Sequence, residues 1–245
     1  MGVGRMEEDK KKSSPILPFS LSPLLRVAVY GGTFDPVHNG HLSIAHCVSE
    51  LFDIDEILFM PAFVAPHKRD VKSSSAWHRY AMLALATQNE SKFRLSTIEL
   101  DAPEKPFTIQ TLSRLQEMFG DGVKLFFIMG ADSWMDIRTW HDWENLLLMT
   151  NHIVVTRPSY ELETSHITQE ARERIVDVRV KETKDVHEIL KQENESKIYV
   201  TDAVQMDVSA SKIRQDVRDG KENWTNDVPV SVAEYIKKYQ LYRSD

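Results

Sequence analysis

The sequence predicts an α/β fold built on a doubly wound parallel sheet, and three observations carry that prediction. Short β-branched and aromatic runs alternate along the chain with stretches whose apolar residues recur at helical spacing. One run, Val123-Lys124-Leu125-Phe126-Phe127-Ile128-Met129, is almost wholly apolar, as a central strand covered on both faces must be. A strand at Val27-Ala28-Val29-Tyr30 passes through Gly31-Gly32 into a helix, and such strand–turn–helix units assemble into parallel sheets.

The elements follow in order. Residues 1–24 mix charges, serines and prolines (Pro15, Pro18, Pro23) without periodicity and read as a mobile extension, leaving 25–245 as one domain. After the first strand, Leu42, Ala45, Val48 and Phe52 mark a helix beginning near Asn39. Glu56 to Met60 is a second strand, running into the proline-rich loop Pro61 to Lys68. Ser73 to Ser75 can cap a helix from Ala76 to Thr87, and Phe93 to Leu100 is a third strand. A helix from Thr108 to Phe119 is closed by Gly120, and the apolar run at Val123 stops at Gly130-Ala131-Asp132. A Trp-rich helical stretch, Trp140 to Met149, leads to a strand at Ile153 to Thr156. A charged helix pattern (Ile167 to Val178), a strand at Ile198 to Val200 and two helices, Ser211 to Asp219 and Val230 to Tyr239, complete a Rossmann-like arrangement with C-terminal helices.

Composition narrows the function. A 245-residue chain that is 42% hydrophobic supports a real core, and its net charge of −7 argues against a dedicated nucleic-acid binder. Cys47 is the only cysteine, which leaves neither a disulfide nor a zinc cluster, and reads as a small packed side chain. No run suits a membrane span, and the order of charges at Glu7 to Lys12 is not that of a signal peptide. The expected compartment is the cytoplasm.

The chemistry concentrates at Gly31-Gly32-Thr33-Phe34-Asp35-Pro36-Val37-His38-Asn39-Gly40-His41. Glycines at a strand end let backbone approach a ligand, and a helix start offers unpaired N–H groups and partial positive charge. His38 and His41 add donors facing the same space, so the stretch reads as a phosphate-handling, nucleotide site. A second segment, Val208-Ser209-Ala210-Ser211-Lys212-Ile213-Arg214, offers a hydroxyl-capped helix start with an arginine able to reach back to a phosphate. In parallel sheets, ligands bind at the carboxyl ends of strands, so the loops at Gly31 to His41, Pro61 to Lys68 and Gly130 to Asp132 are expected to converge.

The first motif resembles the G-G-T-F-D-P-x-H-x-G-H signature of nucleotidyltransferases with an H-x-G-H pair, most closely the bacterial nicotinate-nucleotide adenylyltransferases. The likeness runs from Arg26 to Tyr242. Val208 to Arg214 is similar to that family's I-S-S-T-x-I-R segment, with Ala210 standing where a serine is usual. Pro66-His67-Lys68 is similar to its P-H-K loop, and Pro106 to Leu112 to its P-x-Y-T-x-D-T-L segment, with Phe107 for the tyrosine and Gln110 for the aspartate.

The resemblance implies transfer of AMP from ATP to nicotinate mononucleotide, giving deamido-NAD and pyrophosphate without a covalent intermediate. It implies that Gly31, Gly32, Thr33 and Phe34 lie along ATP. His38, His41, Lys68, Ser209, Ser211 and Arg214 would surround the phosphates, with His38, His41 and Arg214 catalytic. Thr108, Asp132 and Trp140 would meet the acceptor, Arg157 would sit beside the nucleotide, and Trp143 reads as packing. Mg²⁺ would come with ATP rather than on protein ligands. The same chemistry on nicotinamide mononucleotide or another phosphorylated acceptor, such as phosphopantetheine, is the alternative, and a nucleotide-binding regulator without catalysis is the rival from another class. The oligomeric state is left open, a homodimer included.

Overall fold

A computed structural model describes residues 24–62, 73–102, 105–157, 161–192, 195–202 and 208–243. The extension expected over 1–24 therefore lies outside the described residues, save Leu24. Seven strands form one sheet: β1 (Leu25–Gly32), β2 (Glu56–Pro61), β3 (Phe93–Leu95), β4 (Val123–Gly130), β5 (Asn151–Val155), β6 (Ile175–Asp177) and β7 (Ile198–Thr201). Their order is β3-β2-β1-β4-β5-β7-β6, and every pairing is parallel. The order reverses between β1 and β4, where crossovers leave in opposite directions and open a crevice at the strand ends.

Period-two alternation sends successive strand residues to opposite faces. Ala28, Tyr30, Phe126 and Ile128 belong to one core, and Val27, Val29, Leu125, Phe127 and Met129 to the other. The first core is covered by α1 (Asn39–Leu51), α2 (Ala76–Thr87), α7 (Thr183–Gln192), α8 (Ala210–Arg218) and α9 (Val230–Lys238). The second is covered by α3 (Thr108–Phe119), α4 (Ala131–Met135), α5 (Trp143–Met149) and α6 (Gln169–Glu173). Caps set the helix starts. Ser75 accepts from the His78 N–H, Gln110 Oε1 accepts from the Phe107 N–H, and Gly120, at φ +64°, closes α3. Cys47 is half-buried in α1.

Three elements differ from the sequence reading. β3 stops at Leu95, because Asp101 N–H bonds Thr97 O while the Thr97 hydroxyl bonds the Asp101 carboxylate, folding 97–101 into a turn. The helix expected from Trp140 starts at Trp143, since Asp142 takes a left-handed conformation (φ +52°). The helix expected over Ile167 to Val178 is the short α6 followed by β6, whose Ile175 and Val176 extend the sheet beside β7. α7 went unread, although Val186 and Leu190 mark its buried face.

Candidate active site

β1 ends at Gly31-Gly32, directly at the reversal in strand order. A Cβ on Gly32 would stand 3.0–3.2 Å from the Phe34 ring, so glycine is what lets Phe34 fold back over the strand end. Phe34 adopts φ +50° and is 2% exposed, its ring set edgewise to Tyr30 and tilted against Phe59. Its ring packs in the core beside the cleft. Phe34 nonetheless lines the cleft, where it is expected to lie along ATP.

The histidines follow at the start of α1. His38 is the residue before the helix, and its N–H donates to His41 Nδ1 at 3.2 Å. That bond makes Nδ1 an acceptor, so a neutral His41 carries its proton on Nε2. The two rings stack with centroids 3.7 Å apart, over Gly40, where a side chain would meet the His38 ring at 3.1 Å. Burial holds His38 down at about 4 and His41 well below the usual imidazole range, with the His38 charge adding to the latter. Two imidazoliums at this spacing would repel, so the pair offers neutral donors at pH 7. The helix start is itself anchored, with Asn39 N–H on Asp227 O at 2.8 Å and Asn39 Nδ2 on Asn226 O at 2.9 Å.

α8 faces this corner from the far end of the chain. Ser209 caps it, accepting from the Lys212 N–H at 3.3 Å, so the first amides of α8 open toward the same space. Arg214, one turn in, is 8% exposed and donates from Nη1 to Asp35 O at 2.6 Å and from Nη2 to Ser211 Oγ at 3.2 Å. Between these elements lies a cleft of about 420 Å³. Its walls include Thr33, Phe34, Asp35, His38, His41, Ser209, Ser211 and Arg214, together with Asp132, Ser133 and Arg157.

Two helix starts, neutral imidazoles, hydroxyls and arginines make a lining rich in donors, which suits phosphate oxygens. The structure thus gathers the two phosphate segments and Asp132 into one cleft, together with Arg157. Gly31 and Gly32 end β1 just before Thr33 and are not among the residues that line it. Lys68, with the rest of residues 63–72, lies outside the described residues.

Thr108 and Trp140 do not line this cleft. Trp140 packs edgewise on Phe127 at 6.1 Å, its indole nitrogen buried without a partner, and the Phe127 ring lies 3.3 Å from where a Gly31 Cβ would be. Thr108 opens α3, and the neighbouring Phe107 ring stacks on His141 at 4.1 Å. The segments that carry Thr108 and Trp140 are therefore adjacent to each other. Trp143 packs against the second core, as expected.

Sequence reasoning assigned nothing to the polar residues beneath the cleft. Arg79 is 1% exposed and donates from Nη1 to Thr33 O at 2.7 Å and from Nε to Ser74 O at 3.2 Å. Asp35, 3% exposed, accepts from the Tyr242 hydroxyl and the Ser74 N–H. A signal for Arg79 existed: with Met82, Leu83 and Ala86 it occupies the apolar stripe of α2, where a charge needs partners.

Comparison with known proteins agrees with this geometry. Residues 29–216 match the family described as cytidylyltransferase-like. A probable nicotinate-nucleotide adenylyltransferase of Thermoanaerobacter sp. is 34% identical over 221 residues, 90% of this chain and 96% of that protein. One from Salmonella gallinarum is 36% identical over 217 residues, covering 88% and 98% respectively. Among solved structures, the Plasmodium falciparum nicotinic acid mononucleotide adenylyltransferase complexed with NaAD shares the fold, with a TM-score of 0.64 and 21% identity, over 89% of this chain and 97% of that one. The chain belongs to the cytidylyltransferase-like family and, within it, to the nicotinate-nucleotide adenylyltransferases.

Proposed function

We propose that this nucleotidyltransferase joins ATP and nicotinate mononucleotide into deamido-NAD and pyrophosphate, a step of NAD biosynthesis. The observation that carries the reading is the cleft at the β1–β4 reversal, where the His38–His41 pair and the start of α1 face Arg214 and the start of α8. An acceptor phosphate oxygen attacks the α-phosphorus in line. One P–O bond forms as the bond to the β-phosphate bridging oxygen breaks, and pyrophosphate leaves with that electron pair.

The attacking phosphate is already anionic, so no general base is needed. The task is positioning and charge stabilisation. His41 Nε2–H and the His38 ring donate to phosphate oxygens, Arg214 holds the leaving pyrophosphate, and Ser209 and Ser211 add hydroxyls. Thr33 and the Gly31-Gly32 backbone run along the nucleotide, and Lys68 meets a phosphate. On the acceptor side, Asp132 takes ribose hydroxyls, the first amides of α3 at Thr108 meet the pyridine carboxylate, and Trp140 flanks the ring. The Phe107–His141 stack supports that pairing, because it holds Thr108 and Trp140 in one neighbourhood.

Mg²⁺ is proposed to arrive on ATP, held by the nucleotide rather than by protein ligands, and would lower the repulsion met by the incoming anion. The cleft fits such an ion carried by the nucleotide, since its lining is mainly N–H and O–H donors and its buried Asp35 carboxylate already accepts from Tyr242 and Ser74. Among the described residues, no helix is long and apolar enough to cross a membrane; the cytoplasm is the proposed compartment.

The test is pyrophosphate release with ATP and Mg²⁺, comparing nicotinate with nicotinamide mononucleotide. A strong preference for the acid is expected. Equal use would keep the chemistry and refute the Thr108 carboxylate contact, and silence with both would refute the acceptor class.

A further inference from the structure

Asp35 is the point at which three separate parts of the chain meet beneath the cleft. Its backbone carbonyl accepts from Arg214 Nη1 of α8 at 2.6 Å. Its carboxylate accepts from the Tyr242 hydroxyl, in the turn after α9, at 2.7 Å, and from the Ser74 N–H, just before α2, at 3.1 Å. The loop it belongs to is not held by regular structure. Phe34 sits at φ +50°, a conformation that bulky residues adopt only when their surroundings impose it. Two anchors impose it here: Arg79 on the Thr33 carbonyl, and Tyr242 with Ser74 on the Asp35 carboxylate.

We propose that Tyr242 is a positioning residue for adenylyl transfer, its hydroxyl holding Asp35 so that the Asp35 carbonyl fixes the Arg214 guanidinium in the phosphate cleft. The inference rests on the phosphate role of Arg214 argued above. The chain of contacts is direct: hydroxyl to carboxylate, carboxylate to its own backbone, carbonyl to guanidinium. A tyrosine needed only for packing would require its ring and not its hydroxyl. Here the hydroxyl reaches a charged group that is 3% exposed, for which a lost donor is costly. The guanidinium also meets Ser211, so that hydroxyl is tied to the same arginine.

The test is a double-mutant cycle on the full chain with Tyr242→Phe, Arg214→Ala and the combination, read as kcat/KM for ATP in adenylyl transfer. Tyr242→Phe keeps the ring, so the fold is retained; thermal melts and far-UV circular dichroism check this. The single variant is expected to lose roughly tenfold in kcat/KM for ATP, with KM for nicotinate mononucleotide within about twofold of wild type. In the Arg214→Ala background the same change is expected to cost almost nothing, because the group it positions is gone. A Tyr242→Phe loss equal in both backgrounds, or none in either while Arg214→Ala is impaired, overturns the positioning role alone. An Arg214→Ala enzyme with undiminished kcat/KM overturns the phosphate role of Arg214 and this inference with it.

Discussion

The His38–His41 pair is argued to work as neutral donors, and that has a measurable consequence for stability. The perturbation is His38→Asn. Asparagine is among the favoured residues before a helix, so the start of α1 is retained, but it cannot titrate. Burial holds the folded His38 at about 4, against roughly 6.5 when unfolded. As pH falls, the unfolded chain takes up the proton first. This contribution is therefore fully present above about pH 6.5 and is lost between about 6.5 and 4. At pH 5 the loss spans about 1.5 pH units at about 1.36 kcal/mol each, or about 2 kcal/mol.

Other groups titrate in the same window. Burial holds His152 at about 4, which acts in the same sense, and pushes Glu99 up to about 7, which acts in the opposite sense. Both are present in wild type and variant, so they cancel in the comparison. Urea unfolding followed by tryptophan fluorescence at pH 7 and pH 5 gives the pH-dependent loss for each protein. The loss is expected to be smaller by about 2 kcal/mol in His38→Asn, or a Tm difference of about 4–8 °C for a chain of this size. Removing His38 also removes its charge effect on His41, which moves the result in the same direction. Equal losses in the two proteins would mean that His38 titrates normally in the fold, and the neutral-donor account would fail.

Two further outcomes follow from the same geometry. His41→Ala removes a donor aimed at developing charge, so kcat is expected to fall on the order of 10²–10³-fold with the far-UV spectrum unchanged; wild-type turnover would sink the role. Gly32→Ala puts a methyl group 3.0 Å from the buried Phe34 ring, which Tyr30, Phe59 and His41 hold in place. A loss of about 1–3 kcal/mol in stability and a raised KM for ATP are expected, and a thermal melt with ATP kinetics that matched wild type would contradict the close-packing argument.

What the sequence disclosed and what it withheld divide along a physical line. Features that a local pattern encodes were legible: the apolar run of β4, the Gly120 stop of α3, the Ser75 and Ser209 caps, and the His38–His41 pair at a helix start. The approach of Asp132 to that pair follows from a parallel sheet, which puts strand-end loops on one rim, whereas the pairing with Ser209, Ser211 and Arg214 was expected from the family resemblance. Where a local pattern competed with a tertiary one, the reading failed. Ile175 and Val176, set among charged residues, scanned as helix, yet a free edge beside β7 takes them as a strand. Thr97 and Asp101 closed a turn that ended β3 early.

The support beneath the cleft was hidden for a different reason. Asp35, Ser74, Arg79 and Tyr242 are scattered in sequence and joined by hydrogen bonds alone, a relation that no periodicity records. Arg79 shows what such a relation leaves behind, namely a charge on the apolar stripe of α2 that makes sense only once the Thr33 carbonyl is beside it. A charged residue at a core position is thus a sign in the sequence that a polar partner will be found, though the sequence does not say which. In this fold the partners are the backbone of the nucleotide loop. The support of the cleft, like its lining, is therefore assembled from both ends of the chain, with Asp35 near one and Tyr242 near the other.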